Sequence, residues 1–170
     1  MKAFGAAAII IASFLGGFSR LRFERKRISC LHSLIDSLMY LKQELQERQT
    51  ELWSVFQVLC SEAEDDTVRA FYTQLSARRS ALGENSFQQI WRQSADAALQ
   101  AMGKACRDEL CTIGTVLGSS ELSSQLGAIE RACSHLESYA SSLKSELSEK
   151  GRLTLALSFS LGAFVVILLL

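Results

Sequence analysis

Seven side chains in this sequence are cysteine or histidine, the types that most readily ligate a transition metal or act as nucleophile or base near neutral pH: Cys30, Cys60, Cys106, Cys111, Cys133, His32 and His135. Their spacing withholds that chemistry. Each histidine stands in a helical pattern, and a ligand role is not expected of either. Cys106 and Cys111 are five apart, which puts them on different faces of a helix and does not make a C-x-x-C clip. An odd number of scattered cysteines gives no disulfide framework, and such thiols read as small buried hydrophobes in a reducing compartment. The serine pairs Ser119 with Ser120 and Ser141 with Ser142 have no base next to them, so capping and solvated surface account for them. Phosphate-binding glycine loops, the nucleophile elbow and the H-E-x-x-H zinc pattern are all missing. The expectation is a protein that is not an enzyme, with no catalytic residue, metal or cofactor. One binding feature remains, the run SEAEDD. Its carboxylates Glu62, Glu64, Asp65 and Asp66 form a candidate docking surface for a basic partner, against the simpler reading of a solvated turn.

The elements that carry these residues follow from composition and periodicity. The chain has 170 residues, 48% of them hydrophobic, and its 18 basic residues are matched by 18 acidic ones. Zero net charge removes the case for a nucleic-acid binder, which needs a cationic face to displace counterions from phosphate. Proline is absent, and proline is the costliest residue inside a helix. The expected class is all-α.

Both ends are apolar. Residues 3–18, AFGAAAIIIASFLGGF, carry no charge and are followed by Arg20, Arg22, Arg25, Lys26 and Arg27. As a helix this run is about 24 Å long, close to a bilayer core once Met1 and Lys2 take part. Residues 153–170, LTLALSFSLGAFVVILLL, are again uncharged, about 27 Å long as a helix, and preceded by Lys144, Lys150 and Arg152. Cations border the inner side of both runs. The expected organisation is therefore a two-pass cell-membrane protein: a transmembrane helix over 1–19, a cytoplasmic helical domain over 20–152 and a transmembrane helix over 153–170, with the amino terminus outside. The anchors offer only Ser13, Thr154, Ser158 and Ser160 as polar groups, which argues against conduction.

Between the ends, Ile28, Leu31, Leu34, Ile35, Leu38, Leu41 and Leu45 lie on nearly one face of a helix that continues from the first anchor. A second helix is expected over 45–60, with Leu52, Val55, Phe56 and Leu59 inward. The third spans 66–81 and buries Val68, Phe71, Tyr72 and Leu75. Gly83, Asn85 and Ser86 stop it and cap a fourth, which buries Phe87, Ile90, Trp91 and Leu99. After a bend at Gly103, a fifth helix carries Leu110, Ile113, Val116 and Leu117 up to Gly118, and Ser119 or Ser120 caps the last. There, Leu122, Leu126, Ile129, Cys133, Leu136, Ala140, Leu143 and Leu147 follow steps of four and three, a heptad seam that needs a partner helix. The first helix is the nearest candidate, giving about six helices whose long first and last members run antiparallel and end in the membrane. A homodimeric coiled coil along the same seam is the alternative.

Several short stretches coincide with a known family. The opening KAFGAAAIIIASFLGGF, the LMY of 38–40, the ALGE of 81–84, the IWRQS of 90–94, the VLG of 116–118, the HLE of 135–137 and the closing SLGAFVVILLL together resemble the stage III sporulation protein AB family over essentially the whole chain. That resemblance implies a six-helix cytoplasmic bundle like that of the inner-membrane platform proteins of type II secretion and type IV pilus machines. It also implies a place in the mother-cell membrane as a platform of the channel complex joining mother cell and forespore in endospore formation. The implied partners are membrane lipid and other channel subunits, a secretion-type ATPase among them, with homo-oligomers possible. Tyr40, Trp91, Leu117, Gly118, Leu136 and Glu137 are the family-like positions, and core packing or a helix stop is the expected role of Tyr40, Trp91, Leu117 and Gly118. Two other functions compete on the residues alone: a pore-forming or small-transporter membrane subunit, and a membrane-tethered coiled-coil adaptor.

Overall fold

A computed structural model describes the backbone of residues 2–47, 51–118 and 121–169, and the side chains of residues 22–47, 51–118, 121–149 and 151. Six α-helices follow one another: α1 (Lys2–Glu47), α2 (Leu52–Glu62), α3 (Asp66–Ala77), α4 (Phe87–Ala98), α5 (Lys104–Leu117) and α6 (Leu122–Leu169). Among the described residues there is no β-strand, only an isolated bridge between Leu82 and Asn85. The fold is all-α. The apolar runs expected as anchors, 1–19 and 153–170, lie outside the residues with described side chains. Among the described residues, no helix is long and apolar enough to cross a membrane.

The chain divides into two compact units, Met1–Ile28 with Ser141–Leu170, and Ser29–Ala140. In the first, the described side chains are mostly polar: Arg22, Arg25 and Lys26 are exposed, as is Phe23, and Arg27 pairs with Glu24 at 3.6 Å.

The second unit is built round α1. Leu31, Leu34, Leu38 and Leu41 are wholly buried, with Ile35 and Leu45 nearly so, because steps of three and four keep them on one side of the helix. Polar groups on the same helix tie it to its neighbours. The Ser37 hydroxyl lies 2.9 Å from that of Tyr72 on α3, Ser33 Oγ accepts from the backbone N–H of Asp65 at 3.1 Å, and the Cys30 thiol meets Met102 Sδ at 3.5 Å. Lys42 pairs with Glu130 of α6 at 3.2 Å, and the charges of Lys42 and Asp36 both reach Cys133.

The heptad seam is closed within one chain at its middle, where Ile129, Cys133, Leu136 and Ala140 are buried together with Ala128 and Ala132. Its flanks differ from the expectation. Leu122 is 38% exposed, and Leu126, Leu143 and Leu147 are half-buried, because Ile129–Ala140 is the stretch of α6 that other helices of the unit cover.

Three boundaries also shift. The first helix runs on to Glu47 and the second begins at Leu52, since LKQELQE continues the helical pattern with strong helix formers. The third ends at Ala77 and passes into a single 3-10 turn, Arg79–Ala81, before Gly83 takes φ +116°, a conformation open chiefly to glycine. A second 3-10 turn, Gln100–Met102, carries the chain from α4 to Gly103 at φ +88°, and Leu99 is buried from the helix cap and not from the helix. Ser86 caps α4 reciprocally with Gln89. The caps expected of Ser119 or Ser120 lie outside the described residues.

An aromatic cluster closes the bundle. Trp91 has no exposed surface and stands edge-on to Phe71 at 5.0 Å between ring centres, with Phe56 at 5.9 Å and Phe87 at 5.8 Å. Its indole N–H donates to the Leu110 carbonyl at 2.8 Å. Gly114 on α5 makes room for the ring, since a Cβ there would stand 2.8 Å from Trp91 Cγ. Trp91→Ala is expected to cost about 3 to 5 kcal/mol, and Gly114→Ala about 1 to 3 kcal/mol through overpacking, both read from denaturant midpoints of the chain in detergent. A loss below about 1 kcal/mol for Trp91→Ala would contradict a core role.

Candidate partner-binding site

The four carboxylates of the acidic run do different things once folded. Asp65 is the N-cap of α3: its side chain accepts from the Thr67 N–H at 2.8 Å, while its own N–H is bound to Ser33. Partial burial works against the charged form of this carboxyl, but bonds from the Thr67 backbone, the Thr67 hydroxyl and the Cys30 thiol outweigh it and hold the pKa below the usual carboxylate value. Asp66, in the first turn of α3, is spent on Arg69 at 2.9 Å, and Arg69 also donates to the Ala63 carbonyl at 2.8 Å. Glu62 and Glu64 are exposed and, among the described residues, have no ion-pair partner. The candidate docking surface is thus reduced from four residues to two on this segment.

What joins those two comes from another element. Glu62 and Glu64 line a cleft of about 520 Å³ between α1 and α2 with Asp36, Tyr40, Val58 and the inward Leu59 and Ala63. Asp36 and Tyr40 also line a second cleft, about 420 Å³, that follows α1 past Met39 toward Glu47. Sequence reasoning placed neither Asp36 nor Met39 in a site. The available signal was their spacing on α1, because Asp36 and Tyr40 are four apart and outside the buried stripe.

The family-like positions are spread through the fold. Trp91, Leu117 and Leu136 are buried, Glu137 is exposed, Tyr40 is half-buried on the cleft and Gly118 caps α5. Gly118 has φ −89°, so its conformation does not demand glycine. Space does: a Cβ there would come within 3.0 Å of the Phe87 side chain.

The groups first considered for chemistry are dispersed. All five cysteines are free, with Cys30, Cys106 and Cys133 buried and Cys60 and Cys111 half-buried. Burial, aided by the nearby Asp65, pushes the Cys30 thiol up to about 12, and burial followed by the charge of Glu137 pushes Cys133 up to about 11. Burial also raises Cys111. Such thiols stay protonated at neutral pH and are poor nucleophiles. His32 is exposed. His135 Nδ1 lies 3.2 Å from Glu109 Oε1, a pairing between α6 and α5 that residue spacing along one helix does not reveal. Among the described residues, no group of three histidine, cysteine or acidic side chains could hold a metal.

The sequence model of the family described as stage III sporulation protein AB matches residues 2–170. A solved structure described as "Stage III sporulation protein AB" matches with a TM-score of 0.65 and 22% identity, covering 72% of this chain and 97% of that one. At that identity the likeness speaks to the fold alone. A search of curated proteins finds no match.

Asp65→Ala is expected to lose about 0.5 to 2 kcal/mol of stability at pH 7. Because the folded pKa is depressed, this contribution is complete above the unfolded value of about 3.9 and disappears as pH falls through the folded value, so the gap between wild type and variant should close below about pH 4. Denaturation at two pH values measures it. In alkylation followed by peptide mass spectrometry, Cys60 should react in the native protein, and Cys30, Cys106 and Cys133 only on unfolding.

Proposed function

Because the chain belongs to the stage III sporulation protein AB family, we propose that it is a non-enzymatic platform of the channel complex that joins mother cell and forespore during endospore formation, anchored in the mother-cell membrane and docking a secretion-type ATPase on its cytoplasmic side. That it is a protein of sporulation stage III follows from the family itself. The observation that carries the finer reading is that the family match takes in both apolar runs as well as the bundle.

Three features support it. Cations flank both apolar runs on the side of the bundle, the charge arrangement of a domain retained in the cytoplasm. α1 and α6, the helices that contain those runs, also contribute the buried seams of the second unit, so a force on the bundle has a covalent helical route to each anchor. The buried thiols and dispersed histidines offer no reacting centre among the described residues, while the α1–α2 cleft offers an unpaired acidic surface. A part that organises other subunits needs the second and not the first.

The test is isolation of the full chain from sporulating cells. It should require detergent for extraction and bring the secretion-type ATPase of the same complex with it. Cys60 should resist a membrane-impermeant maleimide in intact cells and react after lysis. A chain extracted without detergent, or a Cys60 labelled from outside, would refute the topology, and a chain that emerges without the ATPase would refute the docking.

A further inference from the structure

Two clefts share Asp36 and Tyr40 and so adjoin along α1; taken together as one trough, their borders combine features that a solvated surface has no reason to combine. Met39 is 47% exposed and Val58 39% exposed, two of the five large hydrophobic side chains left open to water among the described residues. Each lines one of the two clefts. Around them stand Asp36, Glu62 and Glu64, without an ion-pair partner among the described residues, and the larger cleft has no basic residue in its lining. Lys42 lines the smaller one, but its ammonium is engaged by Glu130 at 3.2 Å.

The spacing sets the shape of an occupant. On α1, Asp36 and Tyr40 are one turn apart, and on α2 so are Val58 and Glu62. Each wall therefore offers a carboxylate and an apolar or aromatic group at helical pitch. A helix lying in such a groove reads it through anchors at i, i+3 and i+4, with lysine or arginine opposite the carboxylates and an apolar side chain between them. Tyr40 adds a ring face suited to a cation.

We infer that the trough formed by α1 and α2, lined by Asp36, Met39, Tyr40, Val58, Glu62 and Glu64, receives a basic amphipathic helix of a partner protein. The inference rests on the reading of this chain as an anchored assembly subunit but not on which subunit supplies the helix. A second copy is the less suitable source. Its own basic run, centred near Arg25, adjoins the apolar run read as the first anchor, so in copies anchored in one membrane that run is committed to the lipid boundary.

A photo-reactive benzoylphenylalanine placed at Val58 of the full chain in sporulating cells tests this directly. Irradiation should join it to a peptide of another protein that carries lysine or arginine at i and i+3 or i+4 around apolar residues. Yield should fall at least about tenfold in the Glu62→Lys/Glu64→Lys variant, where like charges now meet. It should fall less in Glu62→Gln/Glu64→Gln, which removes charge without adding bulk, and unchanged melting temperatures for both variants would exclude misfolding as the cause. No cross-link, a cross-link to residues 20–27 of the same chain, a peptide lacking basic residues, or a yield indifferent to both variants would overturn the inference. If the charge-reversed chain loses the cross-link yet still retains the ATPase, the trough serves a different subunit and both readings stand. If the cross-link is made and no ATPase is retained, the docking partner proposed above falls and the trough remains.

Discussion

A tryptophan can be stripped of water on every side only where its ring meets a surface of its own shape and its N–H finds an acceptor. Trp91 has both. The absent side chain of Gly114 leaves a flat notch on α5, and the Leu110 carbonyl, one turn earlier on the same helix, accepts a hydrogen bond from the indole N–H at 2.8 Å. From that seat the ring also touches Phe56 of α2, Phe71 of α3 and Phe87 at the start of α4. Four short helices that would each be marginal alone are thus referred to one side chain, and α1 supplies the apolar floor beneath them.

The consequence for function runs through α1. The same helix whose inner stripe is fully buried carries, on its outer side, the residues of the acidic trough. Rotating α1 by even a fraction of a turn would expose leucines and withdraw Asp36 and Tyr40 together. The surface proposed to receive a partner is therefore fixed by core packing and needs no separate device. That coupling suits the proposed role of holding other subunits in position.

Much of this was legible in the residues. Steps of three and four located the buried faces of α1, α3 and the middle of α6. Gly83 and Gly103 marked real turns with positive φ. Less was legible where a residue's role depends on a distant element. Nothing in GTVLG distinguishes Gly114, a notch for an indole twenty-three residues upstream, from a residue of low helix propensity. Leu122 fits the heptad by spacing alone, yet it stays 38% exposed. The acidic run looked like one surface because its members are adjacent in sequence. Folding assigns Asp65 to a cap, Asp66 to Arg69, and Glu62 and Glu64 to a cleft whose other wall is some twenty-five residues away on α1. Periodicity reports which face is apolar; it does not report what that face will meet.

The link between Ser33 and the turn ahead of α3 has a thermodynamic reach beyond local stability. The chain from Ala63 to Asp65 is held by the Ser33 hydroxyl, by the Thr67 amide and by the Arg69 guanidinium, so the segment bearing Glu64 has already surrendered its conformational freedom in the unbound molecule. An incoming ligand then meets a preorganised rim and pays little entropy to immobilise it, leaving its specificity to be decided by shape and charge.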